Sequence, residues 1–191
     1  MRRILSAIGA LALLGVTPSH GAVTSAGDSG FAIENSVEIA ADPQSVYALL
    51  ATPARWWSAA HTYSGDAVNL RLEPRAGGCF CERLPGPGGS VGSVEHARVI
   101  FAAPNKQLRL SGALGPLQAE AVTGTLNIVI SPAKAGVRVT MDYVVGGYVR
   151  AGMTPIAPMV DKVLGEQLEE LKRVAEGHKR QRLTPGQPPA D

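Results

Sequence analysis

The chain has 191 residues, a length that suits one domain able to bury a sizeable core. Apolar residues make up 45% and charged residues 18%, a globular balance. The formal charge of +2 rests on Arg2 and Arg3; without them the basic residues equal the 16 acidic ones, which argues against a broad nucleic-acid footprint, so no nucleic-acid partner is expected.

Arg2-Arg3, the apolar run over residues 4–16 and Pro18 followed by small residues read as a secretory signal covering residues 1–22. The run is shorter than the ~20 residues a spanning helix needs. Ser19-His20-Gly21 offers small residues for cleavage before Ala22, and Thr24-Ser25-Ala26 is a second candidate. No cysteine follows the apolar run to carry a lipid anchor. The expectation is a periplasmic or secreted product with no stable membrane insertion after cleavage.

Residues 23–30 are small and polar and read as a flexible lead-in. Residues 31–40 alternate as a first strand. Asp42-Pro43 supplies an N-cap and a first-turn proline, with Val46, Tyr47, Leu49 and Leu50 on one helical face. Thr52-Pro53 restarts the chain as a second short helix carrying Trp56 and Trp57. Strand candidates follow at Val68–Leu72, 77–84, 94–102, 108–111, 120–130 and 137–145, with Pro85-Gly86-Pro87-Gly88-Gly89 as a hairpin connection. Short spacers make neighbours antiparallel.

The last element is a helix over about residues 158–176. Met159, Val160, Val163, Leu164, Gln167, Leu168, Leu171 and Val174 recur at three- and four-residue steps. Gly177 reads as its stop, and residues 178–191, basic and then proline-rich, as a disordered tail. Gly165 inside this helix costs about 1 kcal/mol, which close packing on a sheet or room for a ligand would offset.

Asp42-Pro43, Trp56-Trp57, Gly77-Gly78-Cys79-Phe80-Cys81-Glu82, Pro104 before Leu108-Arg109-Leu110, and the final helix resemble the SRPBCC superfamily, also called START-like or Bet v-like. Within it the chain looks most like the polyketide cyclase and heat-shock-ATPase-activator-like branch, over residues 31–177. The resemblance implies an α+β helix-grip fold: a curved antiparallel sheet of about seven strands around the C-terminal helix, two short helices after the first strand, and a hydrophobic cavity between sheet and helix. Members include ligand carriers, aromatase/cyclases, hydrolases and co-chaperone-like proteins, with no shared catalytic set.

Three functions follow as expectations. The first is a binding module for a small hydrophobic molecule. The second is a cyclase- or hydrolase-like enzyme in the same cavity. The third is a protein-interaction domain with a filled pocket. A carrier is expected to show an enclosed, mostly apolar cavity, and an enzyme to place His61 or His96 beside a second titratable group inside it. His61, Tyr63 and His96 are the catalytic candidates, with Asp66 near the first two. His96, in a strand with Glu95 and Arg98, equally suits a solvated sheet face. Trp57, Cys79, Cys81, Leu114, Met141, Tyr143, Val160 and Leu164 are the ligand-binding candidates.

The two cysteines, at i and i+2 in a strand, point to one face with Cα atoms roughly 6.5 Å apart. They read as two small buried thiols, as a disulfide that needs local distortion, or as part of a metal site with His96 if all share a face. The apolar stretch at residues 111–117 reads as a lid or as a bulged edge. The glycines carry no phosphate-binding or dinucleotide spacing, and no cofactor or metal is expected.

Overall fold

The computed structural model describes residues 20–182, with side chains from 22 to 177. Eight antiparallel strands form one sheet in the order β1-β2-β8-β7-β6-β5-β4-β3. They are β1 (His20–Gly27), β2 (Gly30–Ile39), β3 (Leu70–Leu72), β4 (Cys79–Pro85), β5 (Val91–Ala103), β6 (Gln107–Ser111), β7 (Ala121–Ala133) and β8 (Gly136–Tyr148). Helix α1 (Pro43–Leu50) follows β2, and helix α2 (Met153–Arg182) follows β8. This is the α+β helix-grip architecture, and no helix among the described residues is long and apolar enough to cross a membrane.

The inward faces come from period-two alternation. Phe31, Ile33, Val37 and Ile39 of β2 and Val137, Val139, Met141, Tyr143 and Val145 of β8 are all buried. Onto this layer α2 lays Ile156, Ala157, Val160, Leu164, Leu168 and Leu171, each buried leucine stabilising by about 1.5–3 kcal/mol. Helix α1 starts where the sequence sets it: Asp42 accepts the Ser45 hydroxyl at 2.7 Å and the Ser45 N–H at 2.8 Å, and these bonds, the hydroxyl's first, hold its carboxyl below the usual range.

Several boundaries differ from the sequence reading. The eighth strand is β1, formed by residues expected to be a flexible lead-in. Its ladder to β2 is made by main-chain groups, which need no apolar pattern, so small polar residues suffice. The second helix after β2 shrinks to a single 3₁₀ turn, Pro53–Arg55, and the Trp pair follows it. Helix α2 begins earlier than Pro158, because buried Met153 and Ile156 hold an extra turn against the sheet. It also runs through Gly177 to Arg182, so residues 178–182 of the expected tail are helical; residues 183–191, like residues 1–19 of the expected signal, lie outside the described residues.

Gly165 is explained by packing. A Cβ there would lie 2.8 Å from Asn35 Oδ1, while the Asn35 amide donates to Asp161 at 2.9 Å. The bare helix surface lets β2 and α2 approach around a buried, hydrogen-bonded asparagine. Helix α2 packs chiefly on β1 and β2, and the space it leaves toward β4 and β5 is the site described next.

Candidate functional site

The site starts from a break in the β4–β5 ladder. Phe80 pairs with Ala97 but Cys81 pairs with Glu95, so His96 is an extra, bulged residue. Regular alternation would send His96 and Ala97 to opposite faces; the bulge buries both. His96 thereby meets Glu82, which shares the inward face of β4 with Phe80.

Glu82 is fully buried, with both carboxylate oxygens engaged. It accepts the Tyr63 N–H at 3.1 Å, the Ser64 N–H at 2.5 Å and the His96 Nε2 hydrogen bond at 3.0 Å. Burial pushes its pKa up, but the bonds from Ser64, Tyr63 and His96 outweigh this and hold it below the usual carboxylate range. Burial lowers the His96 pKa by more than the Glu82 charge raises it. At neutral pH the pair is therefore an ionised carboxylate beside a neutral imidazole. An ionised carboxylate only accepts, so Nε2 carries the ring proton and Nδ1 is the acceptor.

Beside His96 lies a cavity of about 420 Å³. Phe80 and His96 form its sheet wall, and Ile156, Met159, Val160, Val163 and Leu164 its helix wall. Trp57 and residues 60–63 close one side, and Leu114, Gly115 and Pro116 the other. The aromatic rings brace one another: Trp57 and Phe80 sit 5.5 Å apart, and Phe80 and His96 5.0 Å apart. A second depression, of about 540 Å³ beside Asn35, is lined by polar and charged residues, among them Ser58, Asp161, Lys162, Glu166 and Glu169.

The stretch at 111–117 is a fixed wall. Tyr143 Oη donates to the Gly112 carbonyl at 2.8 Å and accepts the Leu114 N–H at 3.1 Å. Burial, partly offset by that N–H, pushes the Tyr143 pKa up to about 12, so it stays protonated and keeps both bonds. The Tyr143 ring fits only because residue 124 is glycine; a Cβ there would lie 2.4 Å from it. Tyr63 Oη ties the same wall from outside, donating to the Gly115 carbonyl at 2.8 Å.

His61, Tyr63 and His96 thus all line the cavity, as do Trp57, Leu114, Val160 and Leu164. Asp66 instead caps a 3₁₀ turn through the Val68 N–H. Met141 and Tyr143 lie outside the lining, in the core beneath it, because their register on β8 places them under α2 and the loop wall. Cys79 and Cys81 are also outside it: Phe80 and Glu82 point inward, so the cysteines take the other face of β4. They form a disulfide with Cα atoms 5.4 Å apart, closer than a flat strand allows, beside the bulge. Glu95 is the third member of their cluster and is held by Arg98; His96 points to the opposite face and cannot join them. Glu82 was visible in the Gly-Gly-x-Phe-x-Glu motif but not singled out, although its two-residue spacing from Phe80 marks it as inward.

The family of polyketide cyclase / dehydrase and lipid transport proteins matches residues 31–176. The chain belongs to this family. The SRPBCC resemblance read from the sequence is therefore shown. Solved structures agree at the level of fold. A protein from Rhizobium leguminosarum is 17% identical with a TM-score of 0.56, covering 84% of this chain and 99% of that one. One from Rhodobacter sphaeroides is 17% identical with a TM-score of 0.55, covering 83% and 99%. The di-domain ARO/CYC protein StfQ of the steffimycin biosynthetic pathway is 14% identical with a TM-score of 0.57, covering 80% of this chain and 53% of that one, about half of the di-domain. No curated protein sequence matches this family member.

Proposed function

We propose that this chain binds a small hydrophobic molecule in the cavity between β4, β5 and α2. The observation that carries the reading is the cavity itself: about 420 Å³, walled by Trp57, Phe80, Leu114, Val160 and Leu164. That volume suits a small ligand. An open cavity weighs against an interaction domain with a filled pocket. The test is native mass spectrometry of the protein expressed with its own N-terminus, followed by organic extraction, alongside titration with an apolar fluorescent dye. A bound apolar mass, or dye binding that Leu164→Trp abolishes, supports the reading. A clean mass with no dye uptake sinks it.

The His96–Glu82 pair on the cavity wall favours a second reading, a cyclase- or hydrolase-like enzyme, and StfQ is an ARO/CYC protein of the same fold. Turnover of an extracted ligand, lost in His96→Phe, would separate an enzyme from a carrier.

We also propose export to the periplasm or beyond. The Arg2-Arg3 and apolar 4–16 pattern supports it, and a disulfide between Cys79 and Cys81 fits an oxidising compartment. Cleavage before Ala22 keeps most of β1, including the Ala22↔Glu34 and Val23↔Ile33 pairs. Cleavage after Ala26 would strip nearly all of β1 and bare the edge of β2. Fractionation with N-terminal sequencing tests this: a mature start at Ala22 supports it, and an intact Met1 in the cytoplasm overturns it.

A further inference from the structure

The polar groups around the cavity are unequal in what they leave for a ligand. Trp57 Nε1 is spent on the His61 carbonyl at 3.1 Å, and the Tyr63 hydroxyl proton on Gly115. Thr62 Oγ1 donates to the Ala59 carbonyl at 2.8 Å. His61 Nε2 is engaged with Glu166 at 2.9 Å. His96 is different. Its Nε2 proton goes to Glu82, which leaves Nδ1 as a lone-pair acceptor with no hydrogen-bond partner among the described residues. The ring is buried, belongs to the lining, and is held between Phe80 at 5.0 Å and Tyr63 at 5.9 Å. The cavity therefore asks its occupant for a donor.

Charge narrows the class further. No lysine or arginine is in the lining, and the ionised Glu82 stands directly behind His96. A carboxylate or phosphate there would face a negative charge with no counter-ion. A cation would lose its hydration among apolar walls, while Glu82 already takes three donors and is sealed from the cavity by His96. A plain hydrocarbon or an ether would leave Nδ1 buried and unpaired, which is costly.

We infer that the occupant is an uncharged, mostly apolar molecule bearing a weakly acidic hydroxyl, a phenol in the simplest case, and that His96 Nδ1 accepts that hydroxyl's proton in a hydrogen bond. Glu82 is a positioning residue: it fixes the tautomer that makes Nδ1 the acceptor. The inference rests on the ligand-binding reading above and names the chemistry of that same site.

The experiment is a calorimetric titration of the wild-type protein with one apolar body carrying different heads: propylbenzene, para-propylphenol, para-propylanisole, para-propylbenzoate and para-propylbenzylamine. The phenol is expected to bind about tenfold more tightly than propylbenzene and the anisole, with the benzoate weakest. Its ultraviolet band is expected to shift to the red on binding, as a hydrogen-bonded phenol's does. His96→Phe is expected to bring the phenol down to the affinity of the hydrocarbon. Equal affinities for hydrocarbon, anisole and phenol would overturn the inference while leaving the cavity a binding site. A benzoate or benzylamine that outbinds the phenol would overturn it as well. No binding by any probe would remove both the inference and the reading beneath it. The wild-type series decides the matter even if His96→Phe does not fold.

Discussion

Two histidine–glutamate pairs border the same cavity and behave differently. His61 and Glu166 bond at 2.9 Å with side chains 28% and 44% exposed, and Lys162 shares the same carboxylate. His96 and Glu82 bond at 3.0 Å with side chains 7% and 0% exposed. The atoms and distances are nearly the same, so chemistry alone does not separate the pairs. Water does: at the mouth it screens the interaction and can replace either partner, whereas inside nothing else can satisfy these groups. A pair at the mouth is a surface contact, and a buried pair is a fixed protonation state built into a wall.

The sharpest way to break this comparison is to remove the inner carboxylate. Glu82→Leu strands the Tyr63 and Ser64 N–H groups and His96 Nε2, and is expected to cost about 3–5 kcal/mol in urea denaturation. A loss below 1 kcal/mol would mean that water reaches the inner pair after all. Gly124→Ala attacks the wall that shields the pair, by driving a methyl into the Tyr143 ring. Overpacking of this kind costs about 1–3 kcal/mol, and thermal melting should show it.

Acid provides a third test. His96 has a lowered pKa in the folded state, so between its ordinary value and its folded one the unfolded chain binds more protons. Stability is therefore full above the ordinary histidine pKa and falls as pH drops through that window, by at most about 1.4 kcal/mol per pH unit for one group. Glu82, also lowered, adds a loss in the same direction as pH falls below the ordinary carboxylate range. Denaturation midpoints measured from pH 8 downward should fall on this pattern, and the histidine part should vanish in His96→Phe. The smallest effect belongs to the outer pair. His61→Ala should leave the denaturation midpoint within measurement error, and a clear shift would show that the mouth pair is less screened than its exposure implies.

These contrasts also mark where sequence reading succeeds and where it stops. Alternation along β2, β7 and β8 and the three-and-four spacing of α2 are local periodicities, so the strands, the long helix and the grip between them were legible. Asp42-Pro43 specified a helix start through a bond only three residues long. Strand β1 was not legible, because its partner is the main chain of β2 and its own side chains carry no signal. His61, Tyr63 and His96 were recognised as chemistry-bearing residues by type. Their common cavity, and the exclusion of Cys79, Cys81, Met141 and Tyr143 from its lining, could not be recognised that way.

What the sequence determined by itself was the set of faces: which residues of each element seek the interior, and that one long helix must lie across a curved sheet. The site itself came from contacts between elements far apart in the chain. A single bulge turns His96 inward, a fully buried Glu82 holds its tautomer, and Gly124 and Gly165 let Tyr143 and Asn35 close the neighbouring walls. The physical reason is range. Periodicity and capping act over three or four residues and are written along the chain, whereas a bulge, a buried hydrogen-bonded pair and a close backbone approach depend on atoms brought together from 14, 19 or 126 residues away.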